Sequence, residues 1–505
     1  MKDLQLYTAA ACRAIDAQSM LPVADGGMGL SGQMLMQRAA KFALDSLLAL
    51  RPQMSAMTIF CGKGNNAGDG YLLGLLAHKL GITVQFIAVS PVAQLAGDAL
   101  TACARAQSQG LILEPADSPV RHRVIVDALL GTGFRGQPRT EYAAAIAQIN
   151  QAQAFVLSID LPSGLNADSG AADCAVSADA TVSFIARKIG LYTAKGPSLS
   201  GQRLFTDLGV SAKMAAGHAP VELRHWRPDL LESIPVDAYK HQRGHVLVVG
   251  GDVGMGGAAV LAAEAALRSG AGLVSVATAA ENRSGLLARL PEAMWVDPLR
   301  DDTGQGIVQA LSRADVLVLG PGLGRGEWAA RVLKAVSGFQ GPMVIDADGL
   351  FWLADHASWL QLGMAHGPLF MTPHGAEAAR LLERPIEKIM NNPQQAIADM
   401  AERFSATCLL KGPGSVMGDA QIQTICAHGN PGMATAGMGD VLAGLAGSLI
   451  AQQPGQEQTA FYAAVLLHSA AADRAALEIG MRGLTASAVV PKVEALLYQA
   501  PDCVQ

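Results

Sequence analysis

The chain has 505 residues, enough for two or three domains that each bury a core of their own. Lysine plus arginine (37) and aspartate plus glutamate (43) leave a net charge of −6, which excludes a protein that holds nucleic acid on a strongly basic surface. Charged residues make up only 16% of the chain and glycine occupies 55 positions, a composition typical of a compact α/β enzyme.

The cysteines and the first twenty residues predict a soluble, cytoplasmic protein. There are seven cysteines and no C-x-x-C pair, which favours a reducing compartment. Charged residues interrupt the first twenty positions, so a secretory signal is not expected. No apolar window of about 18 residues predicts a membrane-spanning helix.

The first part of the chain alternates short apolar runs with helix-length patterns. A helix is predicted over residues 71–80. Strands are predicted at residues 57–60, 82–89, 124–126, 155–159 and 181–185. This alternation predicts a Rossmann-like, doubly wound sheet.

The periodicity lapses in a polar stretch between Ser211 and Pro235 and then resumes. Further strands are predicted at residues 245–249, 273–277, 316–319, 343–345, 369–371 and 408–410. Glycine- and alanine-rich helices are predicted over 258–269 and 441–450, where small residues allow a helix to pack closely on a sheet. We therefore predict a first domain over 1–215, a linker over 216–235 and a second α/β domain over 236–505.

A glycine-rich segment follows the first predicted strand. Residues 61–70 read CGKGNNAGDG and lead into a helix, so their N–H groups can face a phosphate. The spacing is neither a dinucleotide fingerprint nor a P-loop. A plain strand-to-helix turn and a phosphate cradle both remain open for this segment alone.

Two further polar segments follow later strands of the same region. Asp127 precedes the loop 131–136, and Asp160 is followed by Leu-Pro-Ser163-Gly164. Ligands of open α/β sheets bind where the carboxyl ends of strands meet, which favours a site here. Asn66, Asp127 and Ser163 offer only oxygen donors, as a hard cation requires, although each alone is also explained as a helix cap.

These motifs together resemble the NAD(P)H-hydrate epimerase family over residues 1 to about 215. The resemblance implies a potassium ion at Asn66, Asp127 and Ser163, and inversion at C6 of a hydrated nicotinamide. It also implies substrate contacts from one loop at 65–69, a second loop at 131–137 and an aspartate: Asn65, Asn66, Ala67, Gly68, Asp69, Gly131, Thr132, Gly133, Phe134, Arg135, Gly136, Gln137 and Asp160. Ala67 stands where the family usually has glycine.

Two groups in this region are candidates for proton transfer. Asp160 is the preferred one, because a carboxylate at a buried strand end can be tuned toward neutral pH. Lys195 is a weaker candidate, with a nucleotide or surface contact as its alternative role.

A second site is predicted where Gly437-Met-Gly439-Asp440 enters an apolar helix. The glycines permit close backbone approach, the helix N-terminus offers N–H donors to a phosphoryl group, and Asp440 can accept a proton from an attacking hydroxyl. This division of roles is typical of phosphoryl transfer. The alternative, that Asp440 only caps the helix, does not explain the flanking glycines.

The G-x-G-D segment resembles the ribokinase-like fold, in which this aspartate is the catalytic base. With Gly256-Gly257-Ala258-Ala259, the 320–324 and 346–350 segments, Thr372-Pro373-His374 and Lys411-Gly-Pro-Gly-Ser415, residues 236–500 resemble ADP-dependent NAD(P)H-hydrate dehydratases. The resemblance implies substrate contacts at Ala258, Gly322, His374 and Asp440. It implies ADP contacts at Lys411, Gly412, Pro413, Gly414, Ser415 and Gly439, with Mg²⁺ carried by the nucleotide.

The two resemblances imply one bifunctional enzyme. It would interconvert the R and S forms of hydrated NADH and NADPH, dehydrate the S form with ADP, release AMP and phosphate, and assemble as a homo-oligomer. An ATP-dependent small-molecule kinase with a nucleotide-binding N-terminal module is the alternative for the whole chain. For the N-terminal half, binding without catalysis also remains open.

Overall fold

The structure is a computed structural model that describes residues 3–215, 217–218, 221–299, 305–355 and 367–498. The chain forms two compact units, Leu4–Glu222 and Leu223–Gln505, the second of which includes Met1–Asp3. Within the described ranges, no helix combines the length and apolar character needed to cross a lipid bilayer.

The first unit alternates strands and helices. Its strands are β1 (Leu4–Tyr7), β2 (Ala56–Cys61), β3 (Thr83–Ala88), β4 (Leu113–Pro115), β5 (Val124–Ala128), β6 (Phe155–Ile159), β7 (Ala180–Phe184), β8 (Arg187–Lys188) and β9 (Gln202–Thr206). Its helices are α1 (Ala9–Met20), α2 (Gly32–Leu50), α3 (Asn65–Lys79), α4 (Gly97–Ser108), α5 (Thr140–Gln151) and α6 (Gly196–Leu199). Strand β10 (Val221–Arg224) spans the division between the units.

Seven strands form a parallel sheet in the order β4-β3-β2-β5-β6-β7-β9. All five residues of β5 are buried, as expected for a strand covered on both faces. Separate apolar clusters cover the two sides, one around Tyr71 and Phe86 and the other around Phe60 and Ile146. The predicted α/β class and doubly wound sheet are confirmed, and the predicted strands agree with the structure to within two residues at each end.

One helix boundary was wrong. The helix predicted over 71–80 begins at Asn65, with Gly64 as its N-cap residue, so residues 65–69 are helical and not a loop. Glycine and asparagine have weak helix propensity, which hid this start. The glycines are explained by packing, because a Cβ on Gly70 would lie 2.6 Å from the Ala128 Cβ.

The second unit contains β11 (His245–Val249), β12 (Leu273–Ala277), β13 (Met294–Val296), β14 (Val316–Leu319), β15 (Met343–Ile345), β16 (Leu369–Met371), β17 (Ala406–Leu410), β18 (Val416–Gly418) and β19 (Gln423–Cys426). Its helices are α7 (Gly256–Arg268), α8 (Arg283–Arg289), α9 (Gln305–Leu311), α10 (Glu327–Val336), α11 (Asp348–Asp355), α12 (Gly375–Leu382), α13 (Ile386–Met390), α14 (Pro393–Phe404), α15 (Met438–Gln452), α16 (Glu457–Ile479) and α17 (Ala486–Leu497).

These strands run in the order β13-β12-β11-β14-β15-β16-β17-β18-β19. Pairing is parallel from β13 to β17 and antiparallel from β17 to β19. The strands with predicted positions agree with the structure to within two residues at each end, so the second α/β region is confirmed as well.

Close packing of α15 against α7 and the sheet fixes the position of the α15 N-terminus. A Cβ on Gly444 would lie 1.9 Å from the Ala262 carbonyl oxygen, and a Cβ on Gly447 would lie 2.4 Å from Val318 Cγ2. Side chains at these two positions would force the helices and the sheet apart. The glycines therefore determine how deeply α15 sits.

Substituting Gly444→Ala should lower the free energy of unfolding by about 1–3 kcal/mol, because the added methyl group overlaps backbone atoms of α7. Urea unfolding followed by circular dichroism measures this loss. Gly257→Ala is the matched control, since a Cβ there meets no atom within 4 Å and alanine favours the helix. Equal stability of the two variants would contradict the packing argument.

Candidate active sites

A cavity of about 740 Å³ opens in the first unit beyond the carboxyl ends of β2, β5, β6 and β7. Most of the side chains and loops that the sequence predicted for this site line it: Asn65, Asn66, Asp69, Gly131, Thr132, Gly133, Phe134, Arg135, Gln137 and Asp160. The remaining predicted residues, Ala67, Gly68, Gly136, Asp127 and Ser163, are not part of the lining. The parallel sheet thus brings three distant segments to one cavity.

Asp127 is fully buried behind this cavity. Its carboxylate accepts hydrogen bonds from Ser163 Oγ at 2.5 Å, Ser163 N at 2.8 Å and Ser158 Oγ at 2.8 Å. Burial raises the pKa of Asp127, and the hydrogen bonds from Ser163 and Ser158 act in the opposite direction.

Asn66 and Ser163 meet at the backbone of Leu130. Asn66 Nδ2 donates to the Leu130 carbonyl at 3.0 Å, and the Leu130 N–H donates to Ser163 Oγ at 2.8 Å. The Asn66 Oδ1 atom is buried and has no hydrogen-bond partner among the residues that the structure describes. A buried oxygen without a donor calls for a specific explanation, and a cation supplies one.

Sequence reasoning missed several titratable groups of this cavity. Among them, Cys12 and Asp16 on α1 and Lys188 in β8 line it together with Asp160. Lys188 Nζ donates a hydrogen bond to Asp160 Oδ1 and forms an ion pair with it. A lysine shortly after the buried strand β7 was the only available signal, whereas nothing in the local pattern around Asp16 pointed to this cavity.

Lys195, the weaker candidate for proton transfer, lies outside this cavity. Its side chain does not line the cavity, and its Nζ donates to the Ala172 carbonyl at 2.5 Å. This geometry holds a loop of the first unit together and places the ammonium away from Asp160.

In the second unit, Asp440 lies in the first turn of α15. The helix begins at Met438 with Gly437 as its N-cap residue, which has a φ of +87° and no side chain to serve as a cap. The Asp440 carboxylate makes no hydrogen bond to any residue in the described ranges. It remains available to a ligand beside the free N–H groups of the helix end.

Lys411 and Asp346 form a partly buried ion pair next to Asp440. Lys411 Nζ lies 2.7 Å from Asp346 Oδ1, and a Cβ on Gly439 would lie 2.9 Å from Asp346 Oδ2 and 3.3 Å from Lys411 Nζ. Only glycine allows the helix start to approach the pair this closely. Burial and the negative charge of Asp346 raise the pKa of Asp440 to about 6, while Lys411 lowers it.

The other predicted nucleotide contacts form the turn between β17 and β18. Ser415 Oγ donates to the Gly412 carbonyl at 2.9 Å and accepts from the Gly412 N–H at 3.2 Å. Gly412 and Pro413 are exposed, Gly414 and Ser415 are half-buried, and Lys411 leads into the turn from the end of β17. This turn therefore lies at the strand end that carries the Lys411–Asp346 pair.

His374 is the N-cap of α12. Its Nδ1 accepts hydrogen bonds from the N–H groups of Ala376 and Glu377, and the Glu377 carboxylate accepts from His374 N at 2.8 Å. Since Nδ1 is an acceptor, the neutral ring carries its proton on Nε2. The ring is half exposed, and its backbone pairs with that of Lys411.

Ala258 and Gly322 are neighbours. Gly322 has a φ of +59°, and a Cβ on it would lie 3.1 Å from the Ala258 Cβ. The loop that contains Gly322 packs on Asp346, because a Cβ on Gly320 would lie 1.8 Å from the Asp346 carbonyl oxygen. The predicted substrate and nucleotide residues of this unit thus surround the carboxyl ends of adjacent strands.

Comparisons with known proteins agree with this two-part arrangement. Residues 32–190 match the family described as YjeF-related protein N-terminus, and residues 246–493 match the family described as NAD(P)H-hydrate dehydratase. The bifunctional NAD(P)H-hydrate repair enzyme Nnr of Coxiella burnetii is 42% identical, covering 93% of this chain and 96% of its own length. The Escherichia coli protein of the same name is 36% identical, covering 91% and 88%.

Among solved structures, a ribokinase-like superfamily protein from Enterococcus faecalis V583 is similar with a TM-score of 0.48 and 29% identity. That similarity covers 55% of this chain and 97% of the other. The identity to the two bacterial repair enzymes extends over nearly the whole of both chains. This chain therefore belongs to the family of bifunctional NAD(P)H-hydrate repair enzymes.

Proposed function

We propose that the chain interconverts the R and S forms of hydrated NADH and NADPH and dehydrates the S form with ADP, yielding AMP and phosphate. The observation that carries this proposal is the placement of Asp440 at a helix N-terminus beside Lys411, in a chain of this family. We assign the epimerase to residues 1–215 and the dehydratase to residues 236–505, with a linker over 216–235.

Dehydration requires a better leaving group than hydroxide. Asp440 removes the proton of the C6 hydroxyl group while the hydroxyl oxygen attacks the β-phosphoryl group of ADP and AMP departs. The C6–O bond then breaks, phosphate leaves with the electron pair, and loss of a ring proton restores the double bond. Lys411 offsets the negative charge that accumulates on the phosphoryl group, which fits its half-buried position beside Asp346 and Glu377.

The second unit fits a magnesium ion that arrives with ADP. No group of three or more His, Cys, Asp or Glu side chains in the described ranges is arranged to hold a metal without other ligands. Mg²⁺ is commonly bound through phosphates and only one or two carboxylates, and Asp346 and Asp440 are available beside the helix start. When bound, the ion would neutralise phosphate charge. Ala258, Gly322 and His374 are the proposed substrate contacts.

The first unit fits a potassium ion. Asn66 Oδ1 is a buried oxygen without a donor, and the Asp127 carboxylate and Ser163 hydroxyl add further oxygen ligands near the Leu130 backbone. When bound, the ion would supply positive charge beneath the nucleotide site. The residues of α3 and the 131–137 loop would bind the hydrate, and Asp160 would transfer the proton.

We further propose a cytoplasmic location and a homo-oligomer. The six cysteines in the described ranges are all free thiols, as expected in a reducing compartment. The proposal of a homo-oligomer depends on the family resemblance alone.

An equal mixture of the R and S hydrates tests both activities at once. With ADP, the dihydronicotinamide absorbance should recover completely, because the R form is converted to the S form as the latter is consumed. Recovery of only half would remove the epimerase from the proposal. Consumption of ATP with accumulation of a stable phosphorylated product, and no recovery with ADP, would instead favour a small-molecule kinase.

Asp440→Asn should reduce dehydration of the S hydrate by at least about 100-fold, since the amide cannot accept the hydroxyl proton. Exchange between the epimers, measured in the same sample, is the internal control and should be unchanged. In the unaltered enzyme, kcat/KM for dehydration should fall below about pH 6, where Asp440 becomes protonated. Retained dehydration in the variant, or a rate that stays level well below pH 6, would remove Asp440 from this role.

His374 allows capping and substrate binding to be separated. His374→Ala should lower the free energy of unfolding by about 1 kcal/mol because the first turn of α12 loses its acceptor, whereas His374→Asn retains a capping oxygen and most of the stability. Both variants should raise KM for the S hydrate if the ring contacts substrate. An unchanged KM in His374→Asn would show that the ring is only a helix cap.

A further inference from the structure

The side chain of Lys188 is only 3% exposed, so its charge is almost entirely removed from water. Its Nζ donates to Asp160 Oδ1, to the Phe184 carbonyl at 2.8 Å and to Ser183 Oγ at 3.2 Å. An ammonium group has three protons, and these three acceptors match them. These three contacts fix the position of the Lys188 ammonium group between β7 and β8.

Asp160 is held in an unusual conformation beside this lysine. Its φ is +67°, in the left-handed region that a residue with a Cβ rarely adopts. Its backbone N–H donates to the Val182 carbonyl at 2.7 Å, which anchors the turn. One carboxylate oxygen of Asp160 accepts a hydrogen bond from Lys188, and Asp160 lines the cavity, so the ion pair fixes the orientation of a carboxylate at the cavity wall.

Three other carboxyl groups line the same cavity without such a partner. They are Asp69 on α3, Asp16 on α1 and Asp98 on α4, and none of these side chains makes a hydrogen bond or ion pair within the part of the chain that the structure describes. Burial raises the pKa of Asp69 well above its usual value, and the charges of Asp160 and Asp16 add to this while Lys188 opposes it. Burial also raises the pKa of Asp16.

The remaining charged or titratable groups that line the cavity are Cys12, Arg13, Lys63, Arg135, Arg139 and Tyr142. Burial raises the pKa of the Cys12 thiol to about 11, so it is neutral near pH 7. Arg13 donates to the Thr132 carbonyl, and Arg135 pairs with Asp168 at 2.7 Å. Lys188 is thus the cation bound to Asp160, and the charges that act on Asp69 are those of Asp160 and Asp16, opposed by Lys188.

We propose that Lys188 is a positioning residue that keeps Asp160 as the carboxylate base of the epimerisation, and that Asp69 is the acid. This inference depends on the proposed epimerase activity of the first unit. In other enzymes, two carboxyl groups whose surroundings push their pKa values apart serve as the acid and the base of the reaction. The two residues lie on different elements that converge on one cavity, as opposite roles require.

The proposed epimerisation removes the hydroxyl group from C6 as water and then adds water to the opposite face. Asp69 gives its proton to the C6 hydroxyl group, the C6–O bond breaks with release of water, and the ring nitrogen lone pair forms a C6=N bond. Water then adds to the opposite face of C6, its electron pair returns to nitrogen, and Asp160 takes the proton. Exchange with water in the cavity returns a proton to Asp69 and removes one from Asp160.

The first test is Lys188→Met in the full chain, with epimer exchange measured across pH. Without the cation, the ionised carboxylate loses the ammonium group that binds it, so the acidic decline of the exchange rate should move to higher pH. The rate near neutral pH should fall by at least about tenfold. ADP-dependent dehydration of the S hydrate, which is assigned to the second unit, should be unchanged.

Lys79→Met is the matched control, since Lys79 is an exposed lysine at the end of α3, outside the cavity. It should leave the pH profile unchanged. In an Asp160→Asn background, adding Lys188→Met should lower the exchange rate little further, because the lysine acts through that carboxylate. A lower rate with an unmoved acidic decline, or additive losses in the double variant, would show that Lys188 is only structural.

Asp69→Asn tests the proposed role of Asp69 as the acid. The exchange rate should fall about 100-fold or more, and the decline on the alkaline side, caused by loss of the Asp69 proton, should disappear. Carboxyl ¹³C NMR of the unaltered protein gives a measurement that needs no variant. Asp69 should lose its proton at a higher pH than an ordinary aspartate, and an ordinary or lowered pKa of Asp69 would overturn the assignment.

The same experiments separate failure of this inference from failure of the proposed function. If the unaltered enzyme dehydrates the S hydrate but does not accelerate exchange of the epimers, the epimerase proposal fails and this inference fails with it. If exchange is accelerated but Lys188→Met has the same pH profile as the unaltered enzyme, only the roles given to Lys188 and Asp160 are wrong.

Discussion

Parallel strands place their carboxyl ends along one edge of a sheet, and both candidate sites depend on this constraint. In the first unit it brings Asn66, Asp127 and Asp160 to one region although two long crossover connections separate them. In the second unit it brings Lys411 to Asp346, which lies 65 positions earlier in the chain. No local structure could hold such distant polar groups together. The apolar strands behind them supply the rigidity that the sites require.

Each unit also contains an aspartate paired with a lysine that is largely withdrawn from water. An isolated charge in such a position would be strongly unfavourable, so each partner is required by the other. The pairs differ in exposure, because the side chain of Lys188 is 3% exposed and that of Lys411 is 24% exposed. The enclosed lysine suits the orientation of a carboxylate, whereas the more open one can also reach a phosphoryl group.

Much of the fold followed from the sequence because buried strands in parallel sheets are nearly continuous apolar runs. Strands such as β5 and β11 are buried at every residue, and their Val- and Ile-rich runs are conspicuous. The start of α3 was missed because its glycines and asparagines oppose helix formation, and tertiary packing overrides that preference. Propensity cannot reveal a packing contact between segments far apart in the chain.

The candidate sites were predictable where a motif lies in one segment, as at Gly437-Met-Gly439-Asp440. They were not predictable where a side chain arrives from a separate element. Asp16 lies on a helix near the start of the first unit, and Lys188 becomes significant only once β8 places it beside Asp160. The capping role of His374 was likewise invisible, because a histidine cap is recognised only from the hydrogen bonds of its ring.

The left-handed backbone of Asp160 has a consequence for protein engineering. Glycine adopts such a conformation without the steric penalty that a Cβ incurs, but glycine at position 160 would leave the buried Lys188 ammonium group without its counter-ion. A library screened only for heat tolerance would therefore tend to keep this carboxylate, or to lose it together with the lysine. A stabilised version of the first unit has to vary positions 160 and 188 jointly.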